Sequence, residues 1–342
     1  DPATYVLNND NSYGDQWVVE FQAGTRNLPR QNITAGGEYR LNSRQDQENF
    51  DAGAPVFAMN EEHDSSVWAA FIQDEIRLHD RVILSAGVRY DEYDWGESRA
   101  TPRTALVLKP VDGSTVKLLY GQAYRAPNVY EMYYNDAGVS QKGNPDLKPE
   151  DLEMWEVVWE QRLSDALQLV TSLYDYNMKN LINQTVDPDD DLIVFENIGK
   201  ARGQGGQLVL IGRFANGIQG QVGYSYSETE DLDTDAQLSN SPRNLGKLGV
   251  SVPLPVKPRG IFASLELLYV DTRRTITGND SDAYLLANAT LFSRNLVEGL
   301  EASVSVYNLL GETYSDPGAE EHAQDTIEQD GRNLRVKMSY RF

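Results

Sequence analysis

The segment RNLRVKMSYRF, residues 332–342, alternates polar and apolar side chains from its second residue to its end. The apolar set is Leu334, Val336, Met338, Tyr340 and Phe342, and the polar set is Asn333, Arg335, Lys337, Ser339 and Arg341. A period of two predicts a β-strand with one apolar face and one charged face. Such a strand, ending on an aromatic residue, suits a barrel with lipid outside and water inside, although an edge strand of a soluble sandwich has the same pattern.

The composition narrows the class of protein. No run of about 18 apolar residues occurs, so no transmembrane helix is predicted. A membrane-spanning strand needs only about 10 residues, and every second one is free to be polar. The 52 acidic residues outnumber the 30 Lys and Arg residues by 22, which argues against a nucleic-acid partner. Cysteine is absent, which excludes disulfides and cysteine-based metal sites.

About fifteen segments with period two follow one another, and helical periodicity is almost absent. The connections between them alternate in length: residues 78–80, 110–113 and 215–216 are short, whereas residues 126–149 and 228–241 are long. Outer-membrane barrels have short periplasmic turns and long extracellular loops. A soluble Greek-key sandwich has no reason to place every long loop at one end. The sequence therefore predicts an all-β, antiparallel up-and-down transmembrane β-barrel.

The number of strands bears on how much of the barrel is present. Bacterial outer-membrane barrels have an even number of strands, and an open edge in lipid would leave backbone groups unpaired. With about fifteen strands, residues 1–342 are expected to be the C-terminal portion of a larger barrel domain. The chain also begins at Asp1 rather than at methionine. The expected location is the bacterial outer membrane, among its lipid and lipopolysaccharide, with the long loops outside the cell.

The placement of histidine argues against catalysis. The three histidines are His63, His79 and His322. On the predicted topology His79 lies in a periplasmic turn and the other two lie in external loops, so they cannot meet one serine to form a triad. The chain is therefore predicted not to be an enzyme. The run GQGG at residues 203–206 is interpreted as a place of close backbone approach within a strand.

The loop that follows Arg125 holds the candidate ligand-binding residues. They are Tyr130, Tyr133, Tyr134, Asn135 and Asp136. Aromatic rings beside polar groups suit the capture of an organic ligand. The alternative is an aromatic girdle at the membrane interface, which is equally open for Tyr130 and is favoured for Tyr124.

Two acidic loops offer oxygen ligands for calcium. One contains Asp187, Asp189, Asp190 and Asp191, and the other contains Glu228, Glu230, Asp231, Asp233 and Asp235. Hard cations prefer such groups, but the spacing is not that of an EF-hand. A solvated acidic loop is therefore the favoured interpretation, divalent ions shared with lipopolysaccharide are a further alternative, and no metal site or cofactor is predicted.

Several motifs, taken in order, resemble the barrel of TonB-dependent outer-membrane receptors. They are YGQAYRAPNVYEMYY at 120–134, GNPDLKPE at 143–150, ENIGKARG at 196–203, VYNLLGETY at 306–314 and the closing strand. The resemblance covers nearly the whole chain. It implies a barrel of about twenty-two strands plugged by an N-terminal domain. The plug, about seven strands and the segment that contacts the energy-coupling protein are then expected outside this chain.

The resemblance also implies a function. A member of this family is expected to import a scarce nutrient with energy from a TonB-type coupling protein, and an iron–siderophore complex is the first expectation, before cobalamin or an oligosaccharide. In haem receptors of the family, motifs like Arg125-Ala-Pro127 and Asn144-Pro-Asp-Leu147 bracket a ligand-gripping histidine. No histidine lies between them here, which disfavours haem. The alternatives are a passive porin-like channel and a non-transporting surface barrel that binds a partner.

Overall fold

A computed structural model describes residues 7–53, 57–136, 138, 140–256, 260–319 and 322–342. Within these residues it contains twenty-one strands and a single short helix, α1 (Val129–Tyr133). The strands are β1 (Asn8–Thr25), β2 (Gln31–Asp51), β3 (Phe57–Glu61), β4 (Ser65–His79), β5 (Val82–Tyr93), β6 (Ser98–Leu108), β7 (Ser114–Arg125), β8 (Glu150–Arg162), β9 (Leu167–Val186), β10 (Ile193–Arg213), β11 (Gln219–Asp231), β12 (Ala236–Gln237), β13 (Asn244–Pro253), β14 (Ile261–Val270), β15 (Arg273–Arg274), β16 (Asp280–Ser281), β17 (Tyr284–Val297), β18 (Leu300–Tyr307), β19 (Ser315–Pro317), β20 (Thr326–Glu328) and β21 (Asn333–Tyr340).

Seventeen of these strands belong to one sheet. Antiparallel pairs join β1 to β2, β2 to β4 and β4 to β5, and a second series runs through β11, β13, β14, β17, β18 and β21. The short strands β3 and β12 lengthen hairpins at the outer ends of β2 and β11. The other fifteen strands of the sheet overlap the segments that the alternation predicts, so the predicted antiparallel all-β fold is confirmed.

The first hairpin is longer than the alternation predicts. Apolar alternation indicates strands at about residues 14–26 and 30–41, but β1 and β2 remain paired as far as Asn8 and Asp51. Polar side chains take over in the extension: the Asn8 amide donates to Asn49 Oδ1 at 2.9 Å. The backbone ladder therefore continues through polar residues after the apolar alternation has ended, which is why the pattern misses it.

On β2 and β4 the large exposed apolar side chains lie on one face of the sheet. Tyr39 on β2 is 48 % exposed, and its partner Trp68 on β4 is 46 % exposed, while Val67 and Ala69 beside Trp68 are buried. A row of exposed aromatic and aliphatic side chains is what lipid contact requires. On the terminal strand β21 both faces are exposed, so exposure does not separate them there, and its lipid-facing side stays a prediction.

Two compact units divide the chain. The first comprises residues 1–107, 119–155 and 176–201, and the second comprises residues 108–118, 156–175 and 202–342. In the first unit Met132, Leu147 and Ile182 form a small buried cluster beneath the loop that holds the candidate ligand residues. No helix in the described part of the chain is long and apolar enough to cross a membrane.

The glycine run on β10 is a place of close approach, as the sequence predicts. A Cβ atom on Gly205 would lie 2.3 Å from the Tyr226 carbonyl oxygen and 2.6 Å from the Tyr174 hydroxyl oxygen. Real Cβ atoms do not approach other atoms this closely, so the neighbouring strand and the tyrosine ring occupy the space that a side chain would need.

Candidate functional site

The helix α1 is a rigid support for the candidate loop. Its N-cap is Asn128, whose side chain accepts from the Glu131 backbone N–H, while the Glu131 carboxylate accepts from the Asn128 backbone N–H. Arg125 binds Glu131 at 2.9 Å and Glu150 at 2.8 Å. A capping box satisfies donors that a helix of this length cannot satisfy internally. The arginine then ties the helix to the start of β8, so the short helix has a fixed position.

Tyr130 presents the most accessible ring of the three predicted tyrosines. It is 39 % exposed, and its centroid lies 4.5 Å from that of Tyr134 and 5.9 Å from that of Phe195 on β10. Its hydroxyl donates to Gln141 Oε1 at 3.4 Å. We call Tyr130, Tyr134 and Phe195 the aromatic platform. Such a surface offers stacking area at a low cost in side-chain entropy, because each ring is already held by its neighbours.

Tyr134 also joins the platform to the first hairpin. The Asn49 side-chain amide on β2 donates to the Tyr134 hydroxyl at 3.3 Å. Burial raises the pKa of Tyr134, with a further contribution from the nearby carboxylate of Asp10. The phenol therefore stays protonated at physiological pH and keeps its capacity to donate a hydrogen bond.

Tyr133 lies on the inner side of the helix. It packs against the buried cluster of Met132, Leu147 and Ile182, and its ring stacks on that of His63 with centroids 3.9 Å apart and planes inclined by 17°. The geometry gives this ring a supporting position beneath the platform. Its expected contact with ligand remains a prediction.

Asn135 and Asp136 use their polar groups within the loop. The Asp136 carboxylate accepts from the backbone N–H groups of Ser140 and Gln141 at 2.9 and 3.0 Å. The Asn135 side chain accepts from the Gly138 backbone N–H at 3.2 Å. Both residues therefore hold the turn that follows the platform, and their expected role in binding ligand is likewise a prediction.

The rest of the loop is hydrogen-bonded to the beginning of β10. Gln141 and Ile193 form a parallel bridge, and the Lys142 backbone N–H donates to the Ile193 carbonyl at 2.9 Å. The Asn144 side chain donates to the Phe195 carbonyl at 2.8 Å. These bonds place Phe195 beside Tyr130, so the platform combines two segments that are about sixty residues apart in sequence.

A second amide completes the attachment. The Asn197 side chain accepts from the Lys148 backbone N–H at 2.7 Å and donates to the carbonyls of Lys148 and Asn180 at 2.8 Å. Asn144 and Asn197 were not among the predicted site residues. Their only sequence signals are the motifs GNPDLKPE and ENIGKARG, which identify a family pattern but not the bond partners.

Lys142 supplies the cation for one acidic loop. Its ammonium group lies 2.6 Å from the Asp187 carboxylate and 2.8 Å from the Asp190 carboxylate. The two carboxylates raise the pKa of Lys142 to about 12, and the ammonium group holds the pKa of Asp187 below its ordinary value of 3.8. Within the described part of the chain, no group of three or more His, Cys, Asp or Glu side chains is placed to hold a metal ion. Lys142 is therefore a cationic partner for this acidic loop within the chain itself.

We expect the Lys142→Met variant of the full-length protein to exchange amide hydrogens at residues 140–148 severalfold faster at neutral pH. Methionine keeps the apolar stem and removes both ion pairs, so the loop opens locally more often. Hydrogen–deuterium exchange measures the change, and Lys247→Met on β13 is the control. Unchanged exchange in the Lys142 variant would show that the ion pairs do not hold the loop.

The pH dependence of this attachment follows from the two pKa shifts. Asp187 has a lowered pKa, so its contribution is present above its ordinary value of 3.8 and is lost as the pH falls through the lowered value. Lys142 has a raised pKa, so its contribution is full below 10.5 and is lost as the pH rises through about 12. The loop should therefore remain attached between these limits, and acid should release it in the wild-type protein.

His63 and His79 make local contacts. His63 stacks on Tyr133, its Nε2 atom is covered and makes no hydrogen bond, and the Glu61 carboxylate lies 3.7 Å away. His79 accepts from the Arg81 backbone N–H through Nδ1 at 3.2 Å, at the turn that follows β4. Neither contact is that of a catalytic triad, in which histidine bonds a nucleophile.

Loops of the second unit are joined by a buried arginine. Arg273 is 7 % exposed, lies 2.6 Å from the Asp316 carboxylate and donates to Asn240 Oδ1 at 3.0 Å. Its guanidinium carbon lies 5.5 Å from the centroid of the Tyr284 ring. Burying a charge requires such partners. The three long loops of this unit are therefore linked to one another, an arrangement with no signal in the local sequence.

Comparison with known proteins gives the family. The model of the TonB dependent receptor-like β-barrel matches residues 1–309. A hemin receptor of Yersinia pestis is 27 % identical over 310 residues, covering 81 % of this chain and 44 % of that protein. A vitamin B12 transporter of Vibrio cholerae is 27 % identical over 227 residues, covering 66 % and 33 %. The chain therefore spans less than half the length of these relatives.

Solved structures share the fold. The ferric yersiniabactin uptake receptor of Yersinia pestis superposes with a TM-score of 0.79 at 17 % identity, over 98 % of this chain and 55 % of that chain. The copper transporter OprC superposes with a TM-score of 0.79 at 16 % identity, over 100 % and 58 %. At these identities the likeness concerns the fold alone, and it agrees with the antiparallel strands described above.

Proposed function

Because this chain belongs to the TonB-dependent receptor-like β-barrels, which are proteins of the bacterial outer membrane, we propose that it captures a scarce nutrient and imports it with energy from a TonB-type coupling protein. The rest of the full-length polypeptide, including a plug, would carry the contact with the coupling protein. The barrel wall would contact outer-membrane lipid, and the rim would contact lipopolysaccharide.

The aromatic platform is the observation that carries the capture step. Tyr130 is accessible, yet it is held between Tyr134 and Phe195. The underlying helix and loop are fixed by Arg125 and by the bonds to β10. A rigid aromatic surface with hydroxyl and amide groups at its edge suits an organic ligand larger than a simple ion.

An iron–siderophore complex fits this site best. A siderophore fills the coordination sphere of iron with its own oxygen or nitrogen atoms, so the protein needs to supply contact area and hydrogen bonds rather than metal ligands. The described residues include no cluster of three metal-ligating side chains, in keeping with that requirement. Capture of the whole complex would then depend on the platform and on the polar groups around it.

Haem is the second candidate, for one reason in this structure. His63 stacks on Tyr133 of the helix that carries the platform, and two relatives are named hemin receptors. The Nε2 atom of His63 is covered, so ligation of haem iron would require this loop to open. A Soret shift on adding haem to the full-length protein, lost in His63→Ala, would favour haem over a siderophore.

Uptake measurements test the proposed import. Cells that express the full-length protein as their only receptor should accumulate radioactive iron from one siderophore class, and the uptake should saturate. An uncoupler or deletion of the coupling protein should reduce accumulation by at least about tenfold, since transport then lacks its energy source. A ferric hydroxamate and a ferric catecholate are suitable first probes. Uptake that neither saturates nor responds to the uncoupler would instead indicate a porin-like channel, and binding without uptake would indicate a non-transporting surface barrel.

A further inference from the structure

A ladder of charges crosses the polar face of β2 and β5 in the first unit. The Glu38 carboxylate binds Arg40 at 2.7 Å and Arg89 at 3.1 Å, and Arg89 also binds Asp91 at 2.8 Å. Along β2 these charged residues alternate with the exposed Tyr39. The ladder therefore lies on the face opposite the exposed apolar row, which is the lumen face if that row contacts lipid.

A cavity of about 430 Å³ opens beside this ladder. Its charged and phenolic lining residues are Glu38, Arg40, Arg89, Asp91, Tyr93, Arg103 and Tyr124. Asp91 is only 4 % exposed, and the hydroxyl oxygens of Tyr93 and Tyr124 lie 3.1 Å apart. These two hydroxyls bond each other, and the Asp91 carboxylate is a second hydrogen-bond partner of Tyr124.

Arg103 is the member of this lining that lacks an ion-pair partner. In the residues that the structure describes, no carboxylate lies within ion-pair distance of Arg103, whereas Arg40 and Arg89 are both paired. Three arginines and two carboxylates give the lining a formal charge of +1, in a chain whose formal charge is −22. Glu20 lines an adjoining cavity of about 270 Å³ that Arg103 also borders.

We propose that this cavity binds a carboxylate group, with Arg103 as its main ligand. A guanidinium group offers two parallel N–H donors to a carboxylate. Arg40 and Arg89 are neutralised by Glu38 and Asp91, so Arg103 supplies the net positive charge of the lining. The carboxylate would belong to the cargo on its way along the barrel wall. The assignment of this carboxylate to the cargo rests on the proposed import function, whereas the binding site itself does not.

Equilibrium binding of citrate tests the site without any transport step. The full-length protein in detergent is titrated with isotope-labelled citrate at low salt, and bound citrate is measured by equilibrium dialysis. The wild-type protein should bind citrate, and Arg103→Gln should weaken binding by about tenfold or more, because a hydrogen bond to a charged group is lost. Arg103→Lys should bind with intermediate strength, since lysine keeps the charge but not the two parallel donors.

The control is Arg26→Gln, which makes the same change in charge at the exposed turn after β1. It should bind citrate as the wild type does. All variants should migrate on gels as the folded wild-type barrel does. Absence of citrate binding by the wild type would overturn the site, and so would equal binding by Arg103→Gln. Citrate binding by a protein that imports nothing would leave the site standing and overturn only the proposed function.

Discussion

The full-length protein with Gly143→Ala is expected to bind its cargo at least about tenfold more weakly, while its barrel still assembles. A Cβ atom at this position would lie 2.7 Å from the Met132 carbonyl oxygen and 2.9 Å from the Tyr133 Cα atom. Both obstacles are backbone atoms of α1, which supports the platform, so they cannot rotate away. Overpacking of this kind costs about 1–3 kcal/mol. The loop would have to move away from α1 to relieve the clash, and this movement would disturb the platform.

Gly223→Ala on β11 is the matched control for this substitution. Its nearest contact would be 3.6 Å, an ordinary van der Waals distance, and so its cargo affinity should equal that of the wild type. Fluorescence quenching by a ferric siderophore would measure affinity, and gel mobility would report assembly. Wild-type affinity in Gly143→Ala would mean that close packing of this loop on the helix has no part in cargo capture.

Tyr130→Ala should reduce cargo affinity by about thirtyfold, the result of losing about 2 kcal/mol at a central aromatic contact. The substitution removes the accessible ring and also leaves the rings of Tyr134 and Phe195 without their common neighbour. Tyr130→Phe should lose much less, because it keeps the ring and gives up only the bond to Gln141. The same titration measures both variants.

Tyr13→Ala on the exposed first hairpin is the comparison for the Tyr130 variants. Tyr13 is an exposed ring outside the platform, stacked on Arg44, so its removal should not change cargo affinity. If Tyr13→Ala and Tyr130→Ala weaken binding equally, aromatic surface in general would explain capture, and the platform would lose its special role.

The fold was predictable because a strand between lipid and water has apolar side chains on one face and polar side chains on the other, so the two types alternate in the sequence. In β21 every second residue from Leu334 to Tyr340 is apolar, and the period survives through the strands of the main sheet. The extended hairpin of β1 and β2 was not predictable in the same way. There polar residues such as Asn8 and Asn49 follow one another, so no apolar alternation marks the strand.

The candidate site was predictable only in part. Tyr130 was identified because aromatic and polar residues are adjacent in its loop, and the structure places its ring at an accessible surface. Phe195 and Asn197 were missed, since they reach the loop from the start of β10, and pairing over such a distance has no periodic signal. Asp136 was proposed as a ligand contact, but short polar side chains also favour turns, and its bonds here are those of a turn.

Hydrogen–deuterium exchange with a bound ferric siderophore tests the central claim most directly. The full-length protein would be compared with and without the siderophore that it imports. The account predicts slower exchange at residues 126–149 and 193–197, the two segments that build the platform, and loss of this protection in Tyr130→Ala. Tight binding with protection confined to other loops, or unchanged protection in Tyr130→Ala, would contradict it.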